Sequence, residues 1–168
     1  MSEAAIRTFI THQDAFSFLG NENQITDTSD FGRIWGDFFK KGGYGPILPF
    51  AKDPKPINMW YTNDAGQRIY LQGLFVTDVD KVPDGYLLVD FPASDFLVVT
   101  TEWMESNDEA VGENGNGRCN RYAETAPIPA GYVRNDGPGS PITLIEKENA
   151  DTPDGSRYEV WVPIRKVD

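Results

Sequence analysis

The apolar positions of this chain change their period several times, and each change marks an element. Residues 6–25 carry two apolar patches, at 6–10 and 15–19, and predict one or two strands. Phe31, Ile34, Trp35, Phe38 and Phe39 then recur at three- and four-residue spacing, which lines them up along one stripe of a helix. Thr28, Ser29 and Asp30 offer an N-cap, Lys40 and Lys41 suit the last turn, and Gly42-Gly43 stops the helix. The aromatic stripe reads as core. Residues 43–56, with glycines and four prolines, read as a loop.

Three strands are predicted next, over 57–62, 68–77 and 85–91. The first two are joined by a glycine-containing turn at Asn63-Asp64-Ala65-Gly66-Gln67. Val82-Pro83-Asp84-Gly85 is a further turn, and Pro92-Ala93-Ser94-Asp95 interrupts the apolar run before a strand over 96–103. Residues 105–117 are polar with three glycines and predict a mobile loop. A short second helix over 118–125 would be capped by Asn116 and stopped by Pro127 and Pro129. Strands over 131–133, 142–147 and 158–166 complete the chain, the last two closing through Asp151-Thr152-Pro153-Asp154-Gly155-Ser156.

This order predicts an α+β fold. Two similar βαββ halves form an antiparallel sheet, with two helices on one face and a ligand groove on the other. Each half opens with an aspartate just before an apolar strand, Asp14 and Asp95. On the last strand Val160, Val162 and Ile164 share one face, while Glu159 and Trp161 share the opposite one. A carboxylate beside the largest aromatic ring is a natural receptor for a flat organic cation.

Composition narrows the chemistry. A length of 168 residues suits a single domain over 1–168, and no apolar run approaches the roughly 20 residues of a membrane span. The start, Met1-Ser2-Glu3-Ala4-Ala5-Ile6-Arg7, lacks the basic and apolar regions of a signal peptide, and the lone Cys119 suits a reducing cytoplasm. A net charge of −11 argues against direct nucleic-acid binding, whose phosphates demand Lys and Arg. It also allows an acidic interaction protein acting on a DNA-handling partner. His12 is the only histidine, which weighs against a Ser-His or Cys-His nucleophile and a histidine metal site. Asp78 and Asp80 lack the glycine and distal Glu of a calcium loop, and the Gly112–Gly117 stretch lacks the Lys-Ser/Thr of a phosphate loop. No cofactor or metal is expected. What remains is carboxylates and aromatics, with Glu159, Trp161, Trp103, Trp60, Tyr122 and Tyr70 as the ligand-binding candidates.

Several stretches, taken in order, resemble the GyrI-like, or AraC effector-binding, small-molecule-binding family. Phe31-Gly-Arg-Ile-Trp-Gly-Asp-Phe-Phe39 is similar to its first helix. Tyr70-Leu-Gln-Gly-Leu-Phe-Val76, Val82-Pro-Asp-Gly-Tyr86 and Phe91-Pro-Ala-Ser-Asp-Phe-Leu-Val-Val99 are similar to its strand, turn and following strand, and Tyr158-Glu-Val-Trp-Val-Pro-Ile164 to its closing strand. Ser94 stands where that family usually has glycine, and the region 111–129 matches poorly.

The resemblance implies a duplicated βαββ domain binding a lipophilic, often cationic small molecule through a pocket Glu facing aromatics, with Glu159 at the matching position. It implies a stand-alone bacterial relative of regulator effector domains, without room for a helix-turn-helix in front. It also implies an alternative: a hydrolase of cyclopropane-containing electrophiles, with Glu159 directing water and Tyr122 as proton donor.

Overall fold

The computed structural model describes residues 4–167. Met1, Ser2 and Glu3 of the stretch read for a leader, and Asp168, lie outside them. The described strands are β1 (Ile6–Gln13), β2 (Phe16–Gln24), β3 (Ala51–Thr62), β4 (Arg68–Val76), β5 (Leu87–Phe91), β6 (Ser94–Thr101), β7 (Tyr132–Arg134), β8 (Leu144–Thr152) and β9 (Gly155–Lys166). The helices are α1 (Phe31–Lys40), α2 (Asn107–Val111) and α3 (Arg118–Thr125), with a π-helical turn at Glu113–Gly117 between the last two. All strands join one antiparallel sheet in the order β1-β6-β9-β8-β3-β4-β2-β5, and β7 adds to β9.

That order contains the duplication. In the first half β2 pairs β4 and β4 pairs β3; in the second β6 pairs β9 and β9 pairs β8; β3 and β8 then pair across the join. The two leading strands are exchanged, because β1 pairs with β6 and β5 with β2. Gln13 faces Ser94 and Phe16 faces Phe91, so one antiparallel register runs through both pairs. It is interrupted only at Asp14-Ala15 opposite Pro92-Ala93, where proline offers no N–H to the ladder.

The two aspartates that open the halves meet at this break. One ring nitrogen of His12 lies 2.7 Å from the Asp95 carboxylate and the other 3.2 Å from that of Asp14. The Asp95 hydrogen bond, aided by Asp14, raises the His12 pKa above its ordinary 6.5. The pairing therefore adds stability below pH 6.5 that is lost as pH rises through the folded-state value. An NMR titration of the single histidine should show a midpoint above 6.5, returning toward it in Asp95→Asn.

Alternation sorts the side chains onto two faces. On the helix side, Leu19, Leu74, Val76, Ile47 and Tyr86 form the core of the first half. Leu97, Val99, Val160, Val162 and Ile164 pack under Cys119 and Ala123 of α3 in the second. The opposite face carries one apolar cluster spanning both halves, including Phe18, Ile57, Leu71, Phe96, Ile145 and Trp161. Gly20 and Gly73 face one another across β2 and β4, and a Cβ at Gly73 would lie 2.1 Å from the Leu19 carbonyl oxygen. Only glycine admits that approach.

Three sequence expectations change. The stripe on α1 is only partly core: Asp30 caps the helix by accepting from the Arg33 N–H (3.2 Å), and Phe38 is buried, but Phe31 and Phe39 are exposed. The segment 105–117 is not a mobile loop. Ser106 caps α2, and the following π-helical turn relies on Gly115, where a Cβ would lie 2.0 Å from the Ala110 carbonyl oxygen. Asn116 therefore does not cap α3; its side-chain oxygen accepts from Asn120 instead. Finally, β3 begins at Ala51 despite Pro54 and Pro56. The prolines are tolerated because β8 pairs only with residues 57–60 and the register with β4 slips around Asp53. No helix among the described residues is long and apolar enough to cross a membrane.

Candidate ligand-binding groove

The central strands carry an unusual set of side chains on their helix-side face. Asn58 and Trp60 of β3 lie beside Tyr70 of β4 on one side and Glu146 of β8 on the other, and Glu148 lies beside Tyr158 of β9. Regular alternation puts all six on one face, where an ordinary sheet would be aliphatic. Helix α1 brings Trp35 over one side, and the α2–α3 region brings Val111 and Asn116 over the other. Between them is a groove of about 260 Å³.

Its first wall is aromatic, with Trp35, Tyr44 and Tyr70 lining it. Trp60, 4.5 Å from the Tyr70 ring, and Phe31, edge-on to it at 5.4 Å, pack against that wall without lining the groove. The other wall is acidic. Glu146 Oε1 accepts from Trp60 Nε1 (2.8 Å), while Oε2 accepts from the Tyr158 hydroxyl (3.0 Å) and Asn120 Nδ2 (3.2 Å). Glu148 Oε1 accepts from Asn107 Nδ2 at 3.0 Å. Burial, reinforced by the nearby Glu146 carboxylate, pushes the Tyr70 and Tyr158 phenols well above their ordinary range, and burial with Glu148 does the same for Tyr44. These tyrosines stay protonated at neutral pH. The groove therefore presents two carboxylates, several neutral aromatic rings and no lysine, arginine or histidine among its lining residues.

The last strand follows the predicted alternation, but its two site candidates face away from this groove. Glu159 is 3% exposed, and its oxygens accept from Trp161 Nε1 (3.0 Å), Arg157 Nε (3.0 Å) and Asn149 Nδ2 (2.9 Å). Trp161, oriented by that bond, borders a cavity of about 690 Å³ at the edge of the opposite face, together with Phe16, Phe75 and Phe91. Lys147 Nζ lies 5.8 Å from the Trp161 ring centre and donates to Asp53 at 2.6 Å. Lys52, Asp53, Asp78 and Asp90 also line that cavity.

The six candidates are thus divided. Tyr70 lines the groove and Trp60 packs on it and on Glu146 without lining the groove, while Glu159 and Trp161 form a pair behind the sheet. The Trp103 ring stacks on the Arg157 guanidinium at 4.1 Å, and Tyr122 is exposed on α3, on the other side of the sheet from Glu159. Sequence reasoning missed Glu146, Tyr158, Trp35 and Asn58 as groove residues. The available signal was the spacing of Glu146 and Glu148, two carboxylates two residues apart and so on one face if the strand predicted over 142–147 runs one residue further.

No known family profile matches the sequence, and no curated protein matches it either. Solved structures do. SAV2435 bound to tetraphenylphosphonium superposes with a TM-score of 0.64 at 10% identity, over 95% of this chain and 94% of that one. An integron cassette protein from the mobile metagenome of Vibrio cholerae gives 0.57 at 13% identity, over 98% and 100%. The EcmrR C-terminal domain gives 0.52 at 10%, over 96% and 99%. Likeness at these identities establishes architecture, and the chain has the fold of GyrI-like effector-binding domains.

Proposed function

We propose that this chain binds a flat, lipophilic organic cation in the groove between its helices, as a sensing or sequestering domain. The observation that carries the reading is the pairing of two carboxylates with aromatic walls and no basic side chain. A cation 4 Å from one carboxylate gains about 4 kcal/mol at an effective dielectric of about 20, before desolvation is subtracted. Stacking on a ring adds about 0.5–2 kcal/mol. The binding of tetraphenylphosphonium by a structural neighbour supports a lipophilic cation as the ligand, though not its flatness.

The geometry favours charge recognition over hydrolysis. The Glu146 carboxylate already accepts three side-chain donors, which suits a fixed charge better than a base that takes a proton from water. Glu159 is likewise occupied, and the sheet separates it from Tyr122.

Calorimetric titration with 2-naphthylmethylammonium and its neutral counterpart 2-naphthylmethanol tests the proposal. The ammonium should bind at least about tenfold more tightly, a difference of about 1.4 kcal/mol. Equal affinities would remove the charge from the account.

A further inference from the structure

The apolar face behind the helices is the inside of a closed sheet. β1 runs into β2 and β5 into β6, so the outermost strands of the sheet continue inner ones. These two long strands pair with each other through β1–β6 and β2–β5, while β2 also pairs β4 and β6 also pairs β9. With β3 and β8 joining β4 to β9, the ladders run round a complete circuit. The apolar cluster inside it is buried although none of its residues is helical. A narrow barrel of this kind is filled by its own side chains, and a ligand finds room at a mouth.

The cavity of about 690 Å³ is such a mouth, and it falls within the range of roughly 300–1,000 Å³ that small-molecule sites occupy. We propose that it is a second small-molecule site, independent of the groove, for a planar aromatic carrying both a carboxylate and an ammonium group. Its floor is aromatic. Phe75, Phe91 and Trp161 are nearly buried, and half-buried Phe16 stacks on Phe91 at 5.4 Å and meets Phe75 edge-on at 5.0 Å. The bond from Trp161 Nε1 to Glu159 fixes that indole from behind.

Charge sets the ligand class. The groove holds acids alone, whereas this mouth holds Lys52 and Lys147 with Asp53, Asp78 and Asp90. Lys147 Nζ spends one of its three N–H donors on Asp53 (2.6 Å), and it lies 5.8 Å from the Trp161 ring centre. A carboxylate held by the remaining donors brings its ring over the aromatic floor. Asp90 Oδ1 accepts from Ser17 Oγ (2.6 Å), and its second oxygen accepts from none of the described residues. Lys52 and Asp78 also pair with none of them. A purely anionic ligand would face three carboxylates and a purely cationic one two ammonium groups. A dipolar ligand sets each end against the opposite sign.

Calorimetry on the full chain at pH 7 tests this with L-tryptophan, using indole-3-propionate and tryptamine as singly charged counterparts. L-Tryptophan should bind the wild type about tenfold more tightly than indole-3-propionate does. It should bind Glu146→Gln, whose groove has lost a charge, about tenfold more tightly than tryptamine does, and with its wild-type affinity. Lys147→Met should weaken L-tryptophan about tenfold and leave 2-naphthylmethylammonium unaffected. Should that variant unfold, Asp53→Asn combined with Lys147→Met removes the ion pair as a unit. Indole-3-propionate binding as tightly as L-tryptophan would overturn the dipolar class. Absence of L-tryptophan binding, or full affinity in the Lys147 variants, would overturn the site. Loss of L-tryptophan affinity in Glu146→Gln would place that ligand in the groove instead.

Discussion

Glu146→Gln is expected to weaken binding of 2-naphthylmethylammonium by about 10- to 100-fold, or about 1.4–2.8 kcal/mol, with little change in unfolding temperature. Glutamine keeps the volume and one acceptor oxygen, so the bond from Trp60 Nε1 survives and the floor stays packed. Asn120 and the Tyr158 hydroxyl can reorient around the new amide. What disappears is the charge beside the aromatic wall. The loss should shrink as salt is added, because screening weakens the wild type more than the variant. Titrations at low and high salt read both effects.

Glu159→Gln should do the reverse, lowering stability by about 2–3 kcal/mol while leaving cation affinity unchanged. Glu159 is enclosed, and its charge is matched by Arg157, whose side chain is only 18% exposed. Removing one partner of a buried pair leaves the other uncompensated, at a cost of about 3–5 kcal/mol when burial is complete and less here. The amide also offers a donor where Trp161, Arg157 and Asn149 all donate, so one of these contacts becomes repulsive. For a chain of this length the loss corresponds to roughly 4–12 °C in unfolding temperature. Thermal and urea unfolding of the variant give the number directly.

Much of the frame was legible from periodicity. Phe31 and Phe38 on α1, the alternating Val160, Glu159, Trp161 and Val162 on β9, and the turn at residues 63–67 all follow local rules. The doubling into two βαββ halves was legible too, since each rule recurs in the same order. The exchange of β1 and β5 between halves was not: it depends on Asp14-Ala15 lying opposite Pro92-Ala93, far along the chain, and nothing local encodes a partner. Nor was the ordering of residues 105–117, because glycine-rich polar sequence signals flexibility unless a close approach such as that of Gly115 to Ala110 demands it.

The site was half legible for a related reason. Alternation states correctly that Glu159 and Trp161 share the face opposite Val160 and Val162, which pack beneath α3 as a core face should, but not how closely Glu159 is enclosed there. Glu159 then falls on the face behind, where three donors enclose it. Glu146 reads as a solvated charge until the pairing of Leu144 with Trp60 and Glu146 with Asn58 places it beside Tyr158 and the aromatic wall. An acid next to a tryptophan in sequence was the visible pair; the acid next to a tryptophan in space came from β8 and β3.

The most direct test of this account is a parallel calorimetric titration of wild type, Glu146→Gln and Glu159→Gln with 2-naphthylmethylammonium, each well below its unfolding temperature. The account predicts that Glu146→Gln loses about 10- to 100-fold in affinity while Glu159→Gln binds as the wild type does. Full affinity in Glu146→Gln together with loss in Glu159→Gln would contradict it and place the cation behind the sheet, against Trp161.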